Sequence, residues 1–408
     1  MKITRLSTAV VEANFHWTYV RVYSDLDGGV HGTGECFFAP GLPHIVQEFG
    51  AVLLGEDFRE IERLVEKMRW AASGAGSLGG IVWNAISGLE AALWDLKGKA
   101  LNLPVYELLG GRFRHRLRLY LDCHADGALE CLSPLLQPHP PAWERAGHGP
   151  AKLDRAAIIE ASARRATTMA GLGYTALKFD LDLPDTRFDS PEGYTLTSRD
   201  MDWMIQLVHS VRAAVGGDVD LAFDAHWRYR PNEILQVMRA VEGCRLLWLE
   251  DPVPPHDLAS LRYLRDHSST PLATGENLQL RQGFRPLIEG DLADIVAPDL
   301  QKAGGLAEAR KIAAMADLAN KPLAPHMIGS PLALMASCHL SATIPNFLVC
   351  EYHAHDVPFA QELVEGGTAA WFQPGWVTLT DRPGFGVELD ERVARRHAVP
   401  GTRWFDDP

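Results

Sequence analysis

The chain has 408 residues, of which 47% are hydrophobic and 22% are charged, and its formal net charge at pH 7 is −13. These values describe a globular protein with a large core, and the negative charge argues against nucleic acid or an anionic membrane as partner. We find no apolar run that could span a bilayer and no signal-peptide stretch, so we expect a cytoplasmic protein. Six scattered cysteines without a CxxC pair indicate reduced, mostly buried thiols.

Residues 1–115 predict a small α+β domain. Alternation along Val20-Arg-Val-Tyr-Ser24 indicates antiparallel strands, and Asp27-Gly28 supplies a hairpin turn. Helical periodicity follows at 56–72 and 81–102.

From residue 116 the pattern changes to alternating strands and helices. The predicted strands lie near 117–122, 175–179, 219–223, 246–249, 271–274, 293–297, 322–325 and 347–350. The predicted helices between them span 153–171, 198–215, 231–242, 256–267, 279–289, 306–319 and 331–343. Right-handed crossovers would close these elements into a (β/α)7β TIM-like barrel over 116–356. The alternation is lost in 357–408, which we expect to return to the N-terminal domain and complete it.

Three carboxylates end successive predicted strands at equal spacing. Asp224, Glu250 and Glu276 lie 26 residues apart (250 − 224 = 276 − 250 = 26). Because barrel strands end at one rim, where such barrels keep their chemistry, we expect the three side chains to converge. Converging carboxylates repel one another unless a cation lies between them, and oxygen ligands favour a hard divalent ion. The pattern therefore predicts one Mg²⁺ per active site.

Further polar residues fall at the ends of other predicted strands. Asp299 and His326 follow the sixth and seventh strands, so Asp299 would orient His326 as a base. His226 lies two residues beyond Asp224 on the same side of the strand, Lys178 ends the second strand, and Glu351 follows the eighth. This set suits removal of the proton next to a carboxylate by His326. The metal and Lys178 would stabilise the enediolate, and His226 would act on a leaving group.

At this point the chain resembles the enolase superfamily, in its mandelate racemase/muconate lactonizing enzyme-like branch. The motifs that carry the resemblance are Ala85-Ile-Ser-Gly-Leu-Glu90, Leu103-Pro-Val-Tyr-Glu-Leu-Leu-Gly-Gly111, Phe223-Asp224-Ala-His226, Leu249-Glu250-Asp-Pro252, Gly275-Glu276-Asn277, Asp299 with Gly304-Gly305, and Pro325-His326.

The resemblance implies that the three carboxylates bind the metal. It further implies that His326, paired with Asp299, is the general base and that the substrate carboxylate is contacted near Lys178 and Glu351. It also implies a capping domain whose loops, here 12–20 and 73–80, select the far end of the substrate. The Pro-rich region within 124–151 would form another specificity loop over the rim. Relatives of this kind are homo-oligomers, and we expect the same here.

The chain departs from the racemase pattern at Lys178-Phe179-Asp180, where two-base racemases carry Lys-x-Lys. The Asp224-x-His226 motif is instead similar to the acid-sugar dehydratases of galactonate and mannonate type. That similarity predicts elimination of water from a small anionic sugar acid to give a 2-keto-3-deoxy product. His226 as an acid competes with a role in orienting Asp224, and Asp180 could simply neutralise Lys178.

Two other functions stay open from the sequence. One is an epimerase, racemase or lactone-forming cycloisomerase on the same scaffold. The other is a non-catalytic relative that keeps the metal for stability, against which the complete set of ligands and base residues argues. A separate H-x-H pair, His353 and His355, allows zinc, but we favour substrate contact or solvation because no cysteine or third histidine is close in sequence.

Overall fold

The computed structural model describes residues 1–76, 79–125, 154–183 and 195–406. It begins with a three-stranded antiparallel sheet, formed by β1 (Ile3–Glu12), β2 (His16–Ser24) and β3 (His31–Cys36). Residues 12–20, which we expected to form a loop, are therefore mostly strand. Only 13–15 turn the chain, because Ala13 N and Trp17 N both donate to Phe15 O and make the turn tight.

The helices that follow the sheet are α1 (Leu42–Glu48), α2 (Gly50–Leu53), α3 (Ile61–Ala71), α4 (Ile81–Leu101) and α5 (Val105–Leu108). α4 packs directly on β3 because glycines occupy the contact. A Cβ on Gly32 would lie 2.0 Å from Ala92 O, and one on Gly88 would lie 2.4 Å from Cys36 Sγ. The missing side chains thus allow helix and strand to approach at backbone distance.

The second part of the chain alternates strands and helices as predicted. Its elements are β4 (Arg116–Cys123), α6 (Arg155–Leu172), β5 (Ala176–Asp180), α7 (Ser198–Val215), β6 (Asp220–Asp224), α8 (Pro231–Val241), β7 (Trp248–Glu250), α9 (Leu258–His267), β8 (Leu272–Thr274), α10 (Leu280–Glu289), β9 (Ile295–Val296), α11 (Gly305–Leu318), α12 (Pro331–Ala342) and β10 (Cys350–Tyr352). β4 to β9 pair in parallel in chain order, and β10 pairs in parallel with β4.

The predicted strand 322–325 is reduced to single bridges. Leu323 bridges to Val296 on one side and to Phe347 on the other. A continuous ladder is excluded because prolines at 322 and 325 provide no backbone N–H. Together with the β10–β4 pairing, these bridges return the strand order to its start, so the strands form a (β/α)7β barrel.

The inner face of the barrel is organised in layers two residues apart, as the alternation of side chains along a strand requires. A floor of apolar side chains fills the interior: Tyr120, Ala176, Ala222, Trp248, Ala273, Ile295, Ala324 and Val349. On six of these eight strands a titratable side chain lies two residues further along: Asp122, Lys178, Asp224, Glu250, His326 and Glu351. The change from apolar to charged layer marks the C-terminal mouth of the barrel.

The C-terminal segment contains β11 (Phe372–Gln373), β12 (Trp376–Thr378) and α13 (Glu391–Arg396). β12 pairs with β4 of the barrel. Glu391 forms an ion pair with Arg21 of β2, with Arg21 Nη1 2.5 Å from Glu391 Oε1. The segment therefore contacts both other parts of the chain. The division into 1–115, 116–356 and 357–408 stays a prediction.

Five cysteines, Cys36, Cys123, Cys244, Cys338 and Cys350, are buried and free, whereas Cys131 lies outside the described residues. Within the described ranges, no helix has both the length and the hydrophobicity needed to cross a membrane.

His339 of α12 links all three parts of the chain. Its Nδ1 accepts a hydrogen bond from Tyr106 N of α5 at 3.1 Å, and its Nε2 donates to Phe385 O at 3.1 Å. The side chain is fully buried, and burial lowers the pKa of His339 to about 4. Folding therefore keeps this imidazole neutral at a pH where the unfolded chain would bind a proton.

We predict that His339 contributes to acid sensitivity. A histidine with a depressed folded pKa stabilises the fold above its unfolded pKa of about 6.5, and this contribution is lost as the pH falls toward about 4. Between about pH 8 and pH 5 the wild type should lose about 2 kcal/mol more unfolding free energy than His339→Gln. Urea titration at both pH values measures this difference. The exposed control His267→Gln should follow the wild type, and parallel curves for all three proteins would contradict the assignment.

Candidate active site

The three predicted metal-ligating carboxylates meet at the mouth of the barrel. Asp224 and Glu250 are the last residues of β6 and β7, and Glu276 lies two residues beyond β8. One carboxylate oxygen from each lies within 4.8 Å of the other two. β6 and β7 are in parallel register with Asp224 opposite Glu250, which explains why the equal sequence spacing produces a spatial cluster.

This carboxylate trio fits a divalent cation. Asp224 and Glu250 are fully buried, and Glu250 Oε1 accepts no hydrogen bond from the described part of the chain. Burial raises the pKa of Glu250 well above its usual value, although Lys178 acts in the opposite direction. Concentrating carboxylates here is therefore costly, and a hard cation held by oxygen ligands would offset that cost.

Lys178 lies at the inner edge of the trio. Its Nζ is 3.5 Å from Asp224 Oδ2, 3.4 Å from Glu250 Oε2 and 2.7 Å from Glu351 Oε1. Burial lowers the pKa of Lys178, but attraction to Glu250 and Glu351 outweighs it and raises the pKa well above its usual value. Lys178 is therefore a fixed positive charge, which suits stabilisation of a developing anion better than proton abstraction.

Glu351 is held as an ionised carboxylate. Burial raises its pKa, but Lys178 and His326 together lower it to about 2. Its Oε2 also accepts a hydrogen bond from Met327 N at 2.8 Å. An ionised Glu351 would repel a substrate carboxylate, so its contacts suit the positioning of Lys178 better than direct contact with substrate.

Asp299 and His326 form the expected pair. Asp299 Oδ2 lies 2.7 Å from His326 Nδ1, and the two residues form a parallel bridge at adjacent barrel positions. Asp299 Oδ1 accepts from Gln301 N at 2.6 Å, which fixes the carboxylate. With Nδ1–H held by Asp299, His326 presents Nε2 toward the trio, where Glu276 Oε2 lies 2.8 Å away.

His226 reaches the opposite side of the trio through an unusual backbone. His226 and Trp227 have φ values of 46° and 48°, in the left-handed region that side chains disfavour by about 1 kcal/mol or more per residue. The turn is held because His226 N donates to Asp224 Oδ1 at 2.8 Å and Trp227 N donates to Asp251 O at 2.6 Å. This geometry places His226 Nε2 3.8 Å from Asp224 Oδ2.

Asp182 is a site residue that the sequence analysis missed. Its Oδ2 lies 3.2 Å from His226 Nδ1 and 3.1 Å from Arg228 Nη1. Lys178, Asp180 and Asp182 are two residues apart, so their side chains would point to the same face of an extended segment. This spacing is the sequence pattern that could have identified Asp182. Asp182 thus places a carboxylate beside Nδ1 of His226, although only the Asp299–His326 contact, at 2.7 Å, is a hydrogen bond.

The open question about Asp180 receives a partial answer from the contacts of Lys178. The carboxylates within ion-pair distance of Lys178 are Asp224, Glu250 and Glu351, whereas Asp180 Oδ2 lies 3.9 Å from His124 Nδ1. Neutralisation of Lys178 is thus supplied by other residues.

The N-terminal sheet contributes to the mouth of the barrel. The Phe37 ring, just beyond β3, lies 6.3 Å from the His326 ring, and Lys302 Nζ lies 3.8 Å from the Phe37 centroid. In the predicted loop 73–80, Gly80 N donates to Gln279 Oε1 at 2.8 Å, while 77–78 lie outside the described residues. Of the predicted 124–151 loop, residues 126–151 also lie outside them.

Fold and site together define a barrel enzyme of the enolase type. Residues 159–393 match the enolase C-terminal domain-like family, and residues 6–110 match the mandelate racemase/muconate lactonizing enzyme N-terminal domain. The chain therefore belongs to the mandelate racemase/muconate lactonizing enzyme family and is an enzyme of that family.

Several relatives are dehydratases, which are hydro-lyases. A D-xylonate dehydratase from Haloferax volcanii is 36% identical over 406 residues, covering 100% of this chain and 91% of the relative. A D-galactonate dehydratase from Variovorax paradoxus is 32% identical and covers 96% and 93%. The crystal structure of a mandelate racemase/muconate lactonizing enzyme-like protein from Rubrobacter xylanophilus has a TM-score of 0.87 and 39% identity, covering 99% of each chain.

We predict that the trio binds one divalent ion. Glu250→Gln should weaken the binding of Mn²⁺, used as a spectroscopic probe, by more than about 10-fold. A loss of about 10-fold is the lower end of the range for groups that only support a metal ligand, and a direct ligand should cost more. Titration followed by electron paramagnetic resonance measures the affinity without requiring turnover. The control is Glu289→Gln, which changes an exposed acid paired with Arg285. An unchanged dissociation constant in Glu250→Gln would exclude the trio as the binding site.

Proposed function

We propose that this protein is a Mg²⁺-dependent acid-sugar dehydratase that converts an aldonic acid into its 2-keto-3-deoxy acid. The observation that carries the proposal is the pair of histidines on opposite sides of the carboxylate trio, each with its own aspartate. A base and an acid that flank the reacting carbons are what elimination of water requires. The dehydratase relatives support the same reaction class.

The first step is removal of the C2 proton by His326 Nε2. Asp299 holds Nδ1–H and stabilises the imidazolium that forms. A divalent ion held by Asp224, Glu250 and Glu276 would supply positive charge that stabilises the enediolate. Lys178 adds a second fixed positive charge, and Glu351 keeps Lys178 in place.

The second step is loss of the C3 hydroxyl. His226 donates a proton to that oxygen as the C3–O bond breaks, and the electron pair of the enediolate forms the C2–C3 double bond. Water leaves, and the enol takes up a proton at C3 to give the ketone. The carboxylate of Asp182, with Oδ2 3.2 Å from His226 Nδ1, would hold that side of the ring and direct the opposite nitrogen toward the substrate.

Epimerisation is the second candidate because it shares the first step. It requires a base on the opposite face, and Lys178-Phe179-Asp180 lacks the second lysine of two-base racemases. His226 lies on that face, so the product distinguishes the two reactions. A cycloisomerase would likewise form an enediolate without releasing water.

A screen of aldonic and aldaric acids tests the proposal. Incubation with Mg²⁺-loaded enzyme in D₂O, followed by proton NMR, should reveal a 2-keto-3-deoxy product for at least one acid. EDTA should abolish the product, and added Mg²⁺ should restore it. Accumulation of the C2 epimer would move the assignment to epimerisation, and full activity of metal-stripped enzyme would overturn the metal dependence.

We predict that His326 is the base. His326→Asn should abolish both turnover and exchange of the C2 proton with D₂O, because no other group would hold a basic nitrogen at that position. Asp299→Asn should slow both, since the imidazole would lose its orientation. Proton NMR of the substrate measures the exchange. Undiminished exchange in His326→Asn would direct the search for the base to Lys178.

We predict that His226 and Asp182 act in the second step alone. His226→Gln should lower the dehydration rate by on the order of 10²–10⁴, the usual contribution of a positioned acid, while exchange of the C2 proton persists. Asp182→Asn should shift the ratio of exchange to dehydration in the same direction. Asp220→Asn, which changes a partly exposed acid paired with Arg118, is the control. Equal loss of exchange and dehydration in both variants would indicate a structural role.

A further inference from the structure

A buried carboxylate of the N-terminal sheet contacts the loops that follow Asp299 and His326. Glu35 lies near the end of β3, and its side chain is almost completely buried. Ser330 N lies 3.1 Å from Glu35 Oε1 and 3.3 Å from Oε2, and Ser330 Oγ donates to Oε2. Within the described ranges, no lysine, arginine or histidine forms an ion pair with Glu35. Hydrogen-bond donors therefore hold this carboxylate without help from a cation.

Ser330 connects Glu35 to the loop that begins at His326. It is the N-cap of α12, and its Oγ accepts from Leu332 N at 3.1 Å while donating its own hydrogen to Glu35. Gly329 permits this approach, because a Cβ at that position would lie 2.5 Å from Glu35 Oε1. The backbone between His326 and α12 is therefore tied to β3 through Glu35.

Gln301 brings the same carboxylate to the loop that follows Asp299. Its backbone N–H donates to Asp299 Oδ1 at 2.6 Å. A Cβ on Gly329 would lie 2.5 Å from Glu35 Oε1 and 3.1 Å from Gln301 Nε2, so the two side chains adjoin. The Gln301 amide is buried and makes no other hydrogen bond in the described part of the chain, which leaves its N–H groups for Glu35. One carboxylate thus adjoins both loops.

The charge of Glu35 changes in the neutral pH range. Burial raises the pKa of Glu35 to about 7, although the donors of Ser330 and Gln301 act in the opposite direction. α4 and α12, which line the cavity beside Glu35, present uncharged side chains to it. The titratable groups that face Glu35 carry no positive charge: Tyr19 of β2, Cys36 of β3 and Asp299. Glu35 is therefore largely neutral below pH 7 and ionised above it.

The ionised form of Glu35 would favour proton removal in two ways. A carboxylate accepts stronger hydrogen bonds than a carboxylic acid, so it holds the backbone near Asp299 and His326 more firmly. Its negative charge also stabilises the imidazolium that forms when His326 takes the C2 proton. The neutral form loses both effects.

We propose that Glu35 is a positioning residue: in its ionised form it holds the loops of Asp299 and His326 for removal of the C2 proton, and in its neutral form it releases them. This inference rests on the proposed function and makes its first step respond to pH. A contact that only joined the N-terminal domain to the barrel would act equally at every pH. The two roles are distinguishable because glutamine reproduces the neutral form of Glu35 and cannot ionise.

The test compares the wild type with Glu35→Gln as Mg²⁺-loaded enzymes, with D-xylonate and D-galactonate as probes. Exchange of the C2 proton with D₂O is followed by proton NMR. At about pH 5.5, where Glu35 is neutral, the two proteins should exchange at the same rate. At about pH 8.5 the wild type should be roughly 10-fold faster, the loss expected for a hydrogen bond to a charged group. A rate ratio that is the same at both pH values would overturn the inference.

Asp95→Asn is the matched control. Asp95 is also buried, and it joins β3 to the C-terminal segment by accepting from Thr33 N and Phe385 N, both at 2.9 Å. Its rate relative to the wild type should be the same at both pH values. Circular dichroism confirms that each variant is folded.

Hydrogen–deuterium exchange of the backbone, measured by mass spectrometry, decides the matter where neither acid reacts. The peptide that contains residues 327–332 should exchange faster in Glu35→Gln than in the wild type at about pH 8.5, and equally at about pH 5.5. If no acid is dehydrated but this difference appears, the proposed function fails and the positioning role stands. If dehydration occurs and the rate ratio does not change with pH, the positioning role is wrong and the function stands. Equal peptide exchange at both pH values, without any reaction, would overturn both.

Discussion

The constraint on which this site depends is the concentration of buried negative charge at one end of a parallel barrel. Asp224, Glu250 and Glu351 are almost completely buried, and Glu276 lies beside them. Carboxylates in such surroundings are unfavourable unless cations and hydrogen-bond donors compensate them. Lys178 provides one fixed cation and the proposed metal would provide the other, so the arrangement that is costly for folding would also be the one that stabilises the proposed enediolate.

The N-terminal domain and the barrel are joined by contacts that also hold the loops of the candidate active site. Glu35 of β3 accepts a hydrogen bond from Ser330 N at 3.1 Å, four residues after His326. Glu90 of α4 accepts from Leu306 N and Ala307 N at 2.9 Å, at the start of the helix that follows Asp299. The N-terminal sheet and α4 thus fix the backbone that follows Asp299 and the backbone that follows His326.

Much of this arrangement could be predicted from the sequence, because barrel strands convert a linear spacing into a common rim. The trio and the Asp299–His326 pair required only the correct strand ends. Predicted strand 322–325 was wrong in extent because its prolines remove ladder hydrogen bonds, although Leu323 still occupies the barrel position. The 12–20 loop was wrong because a three-residue turn suffices to reverse β1 into β2.

The residues that the sequence did not reveal are those whose partners are far apart or lie beyond a strand end. Asp182 lies two residues beyond β5. Its place in the site depends on contact with His226, whose backbone adopts a left-handed conformation. His124 and His353 are separated by 229 positions and meet because β10 pairs with β4. Sequence spacing identifies residues at one rim, but it does not specify which side chains across the mouth share a hydrogen.

The apolar floor beneath the charged layer determines how molecules can enter and leave the site. The Tyr120 and Trp248 rings meet edge to face with centroids 5.2 Å apart and close the interior below the carboxylates. Any molecule that the site binds or releases must therefore pass through the same opening. The turn that carries Asn14 and Phe15 stands beside that opening, so the N-terminal sheet borders the route by which the site is both filled and emptied.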